Sequence, residues 1–186
     1  GTQMIAKGFD FPLLTTLGVV QADAGLSLPD FTSEERCFQL ITQVIGRAKR
    51  GHQDSKIFIQ SFQPENEIIE FAIHNDYADL YNYLIQKRQK TAFPPYSFLL
   101  KLSMTYKTET AAVRNIRTLY KKIVQICDSL EIDPKQIIVS PPMPGFHERS
   151  NTGYTWQIIL KAKKRQALLD IFDQLPNSPY LHYAFD

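Results

Sequence analysis

Two consecutive prolines divide this chain of 186 residues into two parts with different patterns. Pro94 and Pro95 end a long helical pattern, because proline lacks the amide donor of a helix and restricts the residue before it. Before this step, single strands and helices alternate. After it, two strand–helix halves follow each other. The sequence therefore predicts an α/β protein in which two units join near Phe93–Tyr96.

The first part predicts a strand, a helix and a strand in that order. The apolar run Leu17–Val20 indicates a buried strand, and Lys56–Phe62 indicates another. Between them, Thr32 stands three residues before Glu35, a spacing typical of a helix start. This order implies a parallel sheet with a crossover helix. We expect one further long helix over 65–90.

The second part predicts the order βαββαβ. We expect strands at 97–106, 136–140, 154–161 and 180–185, helices at 108–130 and 163–175, and a loop at 141–152. This order is that of a ferredoxin-like sandwich with two helices on one face of the sheet. We place the domain boundaries so that the chain divides into residues 1–62, 63–96 and 97–186.

Charge and cysteine content narrow the classes of function. Residues 1–96 carry 9 Lys and Arg against 11 Asp and Glu, a balance of −2, and residues 97–186 carry 12 against 8, a balance of +4. A basic second part fits a polyanion partner. No run approaches the roughly 18 apolar residues of a membrane span. Cys37 and Cys127 lie in apolar helical patterns, which indicates buried thiols in a reduced, cytoplasmic compartment and no zinc site.

One face of the first predicted helix carries an amide and two guanidinium groups. Gln43, Arg47 and Arg50 follow i, i+4, i+7 spacing opposite the apolar stripe, and Gly46 leaves room for a close neighbour. This set suits a triphosphate, because arginine forms bidentate bonds to phosphate and stays charged. By spacing alone, a solvated helix face with two surface arginines is the alternative.

The first twelve residues, GTQMIAKGFDFP, place two glycines around a polar turn. Such a turn exposes backbone amides and Lys7 to phosphates. A tight turn with Gly8 at positive φ is the alternative.

Together these segments resemble motifs of superfamily 2 helicases. Gly1–Pro12 resembles motif V, and Gln43–Arg50 matches the motif VI pattern Q-x-x-G-R-x-x-R at each fixed position. GTQMIAKGFDFP, ADAGLSLPDFTSEER and QVIGRAKRG, followed by FPPY, SPP and YTWQ, resemble the primosomal protein N′ (PriA) family of replication-restart helicases. The resemblance covers nearly the whole chain, although Lys49 stands where the family usually has glycine.

The resemblance implies a fold for each part of the chain. It implies that residues 1–62 are the carboxy-terminal part of a RecA-like helicase lobe 2, and that residues 63–96 form a connecting helix and linker. Residues 97–186 would be the family's C-terminal domain, which is similar to a small-subunit ribosomal protein. The chain begins without Met inside a patterned segment, so we expect a piece of a longer protein.

The resemblance also implies a role for each matched residue. Arg50 would stabilise charge on the transferring phosphoryl group, Arg47 would contact a phosphate, and Gln43 would order the site. The residues implied to lie at the nucleotide are Gly8, Asp10 and Gly46, and those implied to contact DNA are Thr2, Gln3 and Lys7. The family's ATP-binding and Mg²⁺-binding motifs and its zinc-binding cysteines lie upstream of Gly1. ATP, Mg²⁺ and zinc are therefore expected in the intact protein, and none is expected to bind this chain alone.

The second part offers two basic clusters. Arg114, Arg117 and Lys121 share the helix face opposite the apolar stripe and are candidate DNA contacts, with a solvated face as the alternative. Tyr154 and Trp156 point the same way from one strand, either toward nucleic-acid bases or into the core. The cluster at the start of the last helix consists of Lys163, Lys164 and Arg165.

The family's partners follow from the resemblance as well. They are branched or single-stranded DNA, other primosome proteins and single-stranded DNA-binding protein. The cluster at the start of the last helix would pair with the acidic tail of single-stranded DNA-binding protein. We therefore expect a piece of an ATP-dependent 3′-to-5′ DNA helicase for replication restart. Two alternatives stay open: another superfamily 2 translocase, and an independent nucleic-acid-binding module on a helicase scaffold.

Overall fold

The computed structural model describes residues 15–48, 55–151 and 153–186, with the backbone alone for residues 146–150. The described residues form two compact units, one up to Lys87 and one from Arg88 onwards, and each has its own hydrophobic core. The first unit contains a parallel sheet and the second an antiparallel sheet. The chain is therefore a mixed α/β protein, as the sequence predicts.

The first unit begins with the predicted strand–helix–strand order. Its elements are β1 (Thr16–Val19), a short 3₁₀ helix (Ala22–Gly25), α1 (Ser33–Ala48), β2 (Lys56–Ile59), α2 (Glu67–His74) and α3 (Tyr77–Thr91), whose last residues, from Arg88, belong to the second unit. β1 and β2 pair in parallel, with Thr16 opposite Lys56 and Val19 opposite Ile59. The predicted parallel pairing is confirmed.

These two strands are not fully buried, so that part of the prediction is wrong. Along each strand, exposed and half-buried residues alternate. Leu17 and Ile57 are half-buried, whereas Gly18 and Phe58 point away from the core, and Phe58 is 60% exposed. The reason is that the sheet has two strands in the described part of the chain, with helices packed on one face.

The single helix predicted over 65–90 is two helices. Asn75 adopts the left-handed conformation, with φ 56° and ψ 36°, and its N–H donates to Ala72 O. The N–H of Asp76 then donates to Phe71 O at 2.8 Å, and the Asp76 carboxylate accepts from Asp79 N–H at 3.1 Å. Asparagine tolerates this conformation and aspartate begins helices, so the pair ends α2 and starts α3.

α1, α2 and α3 enclose the first core. Its buried members are Ala22, Cys37, Phe38, Ile41, Ile45, Ile68, Ile69, Ala72, Leu80 and Leu84. Cys37 donates a hydrogen bond to Ala22 O at 3.2 Å, and burial together with the Asp23 carboxylate raises the pKa of Cys37 to about 11. The predicted buried thiol is confirmed for Cys37, while Cys127 is half-buried.

The second unit is built on an antiparallel sheet. Its elements are β3 (Phe98–Tyr106), α4 (Glu109–Ser129), β4 (Ile137–Val139), β5 (Met143–Ser150), β6 (Gly153–Ala162), α5 (Arg165–Asp173) and β7 (Leu181–Phe185). Four strands lie in the order β4-β6-β3-β7, and every neighbouring pair is antiparallel. α4 and α5 both pack against β3 and β6, which places both helices on one face.

The loop predicted over 141–152 contains a strand, so this prediction is wrong. β4 has three residues and pairs with the end of β6, which leaves the rest of that edge of β6 free. β5 fills it, with Met143 opposite Gln157 and Ser150 opposite Gly153. A register shift between Pro144 and Arg149 interrupts the pairing, and this irregularity hides the strand from a periodicity analysis.

The second core follows the predicted alternation. Leu100, Leu102 and Met104 point from β3 toward the helices, while Lys101 between them is exposed. The helices contribute Ile116, Leu119, Ile123, Ile126, Leu168 and Ile171. α4 begins where the Thr108 hydroxyl accepts from Ala111 N–H. The exposed face of α4 is thereby fixed by the apolar stripe on its opposite side.

Lys161 fastens the end of α3 to β6. Its Nζ donates to Thr91 O at 2.8 Å and lies 3.5 Å from the centroid of the Phe93 ring. A cation at a helix C-terminus, placed over an aromatic ring, is favourable on both counts. Partial burial lowers the pKa of Lys161. Ser97 adds a bond from its hydroxyl to Ala92 O at 2.7 Å, so both ends of the Pro-Pro step are held.

A substitution at Gly153 tests the close approach of β6 to β3. Its φ is +132°, and a Cβ atom there would overlap the carbonyl group of Tyr106, with the carbonyl carbon 2.7 Å away. We expect Gly153→Ala to lower the free energy of unfolding by about 2 kcal/mol or more, because strain and overlap add. Urea unfolding followed by circular dichroism measures this change.

The matched control is Gly18→Ala, where a Cβ atom would meet no described atom within 4 Å. We expect this control to change the free energy of unfolding little. Equal stability of both variants would contradict the close approach of Gly153 to β3.

Candidate functional site

The polar face of α1 carries the described part of the motif VI set. Gln43 and Gly46 are exposed and Arg47 is half-buried, while Ile41 and Ile45 point into the core on the other side. A Cβ atom at Gly46 would meet no described atom within 4 Å. The role of this face at a phosphate group stays a prediction. Arg47 also lies in the last turn of α1, where a cation stabilises the helix.

Several predicted site residues lie outside the described residues, and their roles stay predictions. They are Thr2, Gln3, Lys7, Gly8, Asp10 and Arg50.

Asp23 is a candidate that the sequence analysis did not single out. It is 6% exposed and lies in the 3₁₀ helix, four residues after the end of β1, and its Oδ2 accepts from Phe62 N–H at 3.1 Å, three residues after the end of β2. Within the described residues, its Oδ1 has no hydrogen-bond partner. The carboxyl ends of parallel strands are where α/β proteins hold ligands. An acidic residue three positions after the predicted strand Leu17–Val20 is the signal that would have found it.

The basic face of α4 is an open groove. Arg114, Arg117 and Lys121 are all exposed and line it together with Glu109, Thr110, Val113 and Thr118. The groove has a volume of about 580 Å³. Three cations against one carboxylate give it a positive potential, which suits a polyanion. The structure thus places the three predicted DNA contacts together, and their role stays a prediction.

Two tyrosines meet beside this groove. Tyr106 ends β3 and Tyr180 precedes β7, and their rings are stacked with centroids 4.8 Å apart and planes 23° apart. Burial and the neighbouring Tyr180 raise the pKa of Tyr106, and the charge of Arg114 partly lowers it. Tyr106 is also two residues before Thr108, the cap of α4, so the stack lies at the end of β3 that leads into this helix. The sequence analysis missed this pair, because strand pairing alone brings its members together.

Tyr154 and Trp156 lie in the strand β6, and neither ring is fully exposed to solvent as a base-stacking surface requires. Trp156 is half-buried and packs against the second core, which favours the core alternative. Its Nε1 is buried and has no hydrogen-bond partner among the described residues. Tyr154 is half-buried and lies opposite Tyr106 in the sheet.

The cluster Lys163, Lys164 and Arg165 is exposed at the start of α5. Lys164 is the N-cap residue and makes no side-chain capping bond, and the first turn of α5 has no acidic residue. Three cations at the positive end of the helix dipole destabilise the helix when no anion is bound. An anion bound there would be stabilised both by the cations and by the backbone N–H groups of the first turn.

Two kinds of site are absent from the described part of the chain. No group of three or more His, Cys, Asp or Glu residues could hold a metal ion there. None of the helices described is both long and apolar enough for a membrane span.

Comparison with known proteins identifies relatives of the chain. No family model matches it. Replication restart protein PriA of Borreliella burgdorferi is 33% identical over 168 residues, 90% of this chain and 24% of that protein. PriA of Bacillus subtilis is 32% identical over 170 residues, 90% and 20% of the two chains. PriA of Chlamydia trachomatis is 38% identical over 138 residues, 72% and 18%.

The chain spans between 14% and 24% of the length of the curated relatives it matches. The matches extend across both units, since 90% of the chain is covered in two of them. The resemblance found in the motifs is thus confirmed over most of the sequence, and the chain belongs to the family of replication restart protein PriA, to a part of which it corresponds.

Proposed function

We propose that this chain is part of an ATP-dependent 3′-to-5′ DNA helicase that recognises stalled or branched replication forks and starts primosome assembly in the cytoplasm. Its relatives bear the name replication restart protein PriA. The observation that carries the DNA-binding part is the groove on α4, where Arg114, Arg117 and Lys121 lie together. Cations held on a rigid helix bind a phosphate backbone without reading its sequence.

We assign each unit a part in that helicase. The parallel pairing of β1 and β2, joined through α1, supports a RecA-like lobe 2 for the first unit. In the second unit, the order β4-β6-β3-β7 with both helices on one face supports a ferredoxin-like, ribosomal-protein-like domain.

The motif VI residues supply half of an ATPase site. Arg50 would stabilise charge on the transferring phosphoryl group, and Arg47 would contact a phosphate, while Gln43 and Gly46 shape the helix surface beside them. Motif V would contribute Thr2, Gln3, Lys7, Gly8 and Asp10 toward the DNA backbone and the nucleotide. ATP and Mg²⁺, and zinc held by cysteines elsewhere in the intact protein, are the proposed cofactors.

A second candidate is an independent nucleic-acid-binding module. The observation that favours it is that the residues from Arg88 onwards have a core of their own and carry both basic clusters. In this case the first unit serves as a scaffold, and binding of DNA by the chain requires no nucleotide.

We expect the chain alone to hydrolyse no ATP. Its sequence has no G-x-x-x-x-G-K-[ST] loop, so Arg47 and Arg50 lack the group that holds a triphosphate. Phosphate release by the highly purified chain measures this. Activity that persists in Arg50→Ala would come from a contaminant, whereas activity that disappears with this substitution would contradict the prediction.

Removing the charge of the α4 groove should weaken DNA binding and flatten its salt dependence. For Arg114→Gln/Arg117→Gln/Lys121→Gln, we expect the slope of log K against log salt concentration to fall by about 2 to 3 on forked DNA, since each phosphate contact contributes about 0.7 to 0.9. Fluorescence anisotropy at several salt concentrations gives the slope.

The control for this experiment is Lys56→Gln/Lys90→Gln/Lys135→Gln, which removes the same charge from exposed lysines elsewhere. We expect the control to keep most of the slope. An equal loss in both triple variants would mean that net charge, and not the groove, determines binding.

The cluster before α5 should bind the acidic tail of single-stranded DNA-binding protein. Reversing all three charges, in Lys163→Glu/Lys164→Glu/Arg165→Glu, should abolish most of the affinity for a peptide of that tail, because carboxylates lose both the cations and the open helix end. Isothermal titration measures the affinity. The groove triple variant serves as the control and should bind the peptide normally, and unchanged affinity after charge reversal would exclude this site.

A further inference from the structure

We propose that the stacked pair Tyr106 and Tyr180 is a platform for an unpaired base of single-stranded nucleic acid, whose phosphates lie along the groove on α4. The proposal rests on the proposed nucleic-acid binding of the second unit and names the part of the ligand that this end of the sheet contacts. The tyrosine pair would contact a base, whereas the cations of α4 contact phosphates.

The geometry of the pair presents an aromatic ring to solvent. Tyr106 is half-buried at the end of β3, where it pairs with Tyr154 of β6. Tyr180 lies on it with ring centroids 4.8 Å apart and planes 23° apart, an offset stack. Tyr180 is nevertheless 51% exposed, and in the described part of the chain Tyr106 is the one ring it contacts. A base can therefore continue the stack.

Tyr183, another exposed tyrosine of the second unit, packs edge to face against its neighbours and does not stack on them. Tyr183 is 59% exposed, but it meets Phe172 edge to face, with centroids 4.6 Å apart and planes 61° apart, and it meets Phe185 at 73°. Its neighbours therefore form an apolar cluster with α5. Tyr180 stacks on Tyr106, the one ring it contacts among the described residues, and a ring already held in a stack lowers the entropy cost of adding a base.

The charges beside the stack determine which ligand fits. Tyr106 stands two residues before Thr108, the cap of the helix that carries Arg114, and Lys107 between them is exposed. Of the three cations in the groove, Arg114 is the one nearest the start of α4. Cations for phosphates thus adjoin a ring for a base. A duplex keeps its bases stacked on each other, so a single strand is the ligand that uses both features.

The experiment separates base stacking from phosphate binding. The whole chain is titrated against two labelled probes, an oligothymidylate of about 20 nucleotides and an abasic strand of equal length and charge. We expect Tyr180→Ala to bind the oligothymidylate about tenfold more weakly, the effect of one lost base stack, and to bind the abasic strand unchanged. Tyr180→Phe keeps the ring and should bind both probes normally.

Two further variants make the test decisive. Tyr180→Leu keeps apolar bulk on Tyr106 without an aromatic face, and it should show the same tenfold loss even if Tyr180→Ala is unstable. Tyr81→Ala removes a tyrosine of the same 51% exposure from α3 and should have no effect. Arg114→Gln should weaken both probes.

Each result has one meaning. A loss confined to the oligothymidylate in the Ala and Leu variants supports the platform. If Tyr180→Leu binds the oligothymidylate normally, or weakens both probes alike, the platform is wrong while nucleic-acid binding stands. If the unaltered chain binds neither probe nor forked DNA, the proposed function of the second unit fails together with the platform.

Discussion

The antiparallel pairing of β3 with β6, from Phe98 opposite Ala162 to Tyr106 opposite Tyr154, positions everything that matters in the second unit. Its helix-facing residues form the core on which α4 and α5 pack, and this packing turns the cations of α4 outward. At one end of the pairing, Gly153 lets β6 approach the carbonyl of Tyr106, and Tyr180 stacks on the same tyrosine. At the other end, Lys161 holds Thr91. A shift of register would displace all of these features at once.

The first unit depends on a different constraint, the apolar stripe of α1. Phe38, Ile41 and Ile45 fix the rotation of this helix, and Gln43 and Arg47 are thereby directed away from the core. The polar face of α1 is thus a consequence of how the apolar side of the helix packs. Asp23 does not follow from packing in this way: it is a buried carboxylate just beyond the ends of two parallel strands, where burial alone would favour an apolar residue.

Local sequence patterns predicted the elements whose signal is periodic, and they failed where long-range pairing decides. The helix around Ile41 and the strands around Leu102 and Ile158 follow their periods closely. The break at Asn75 was visible as an Asn-Asp pair, yet the helical period continues on both sides of it. The strand β5 pairs with the next strand, β6, but its register shift interrupts the periodic signal. The stack of Tyr106 on Tyr180 joins residues that are far apart in the sequence. No window along the chain contains both members of such a contact.

The position of Lys161 changes how the basic character of this protein should be understood. Its ammonium group lies against a carbonyl oxygen and the face of Phe93, so it braces the end of α3 in addition to contributing a positive charge. Neutralising this lysine, for example by acetylation, would loosen the end of α3 as well as remove a charge. The basic residues of this protein therefore have to be assigned one by one. A cation that holds the fold together and a cation that faces a ligand count equally in the net charge.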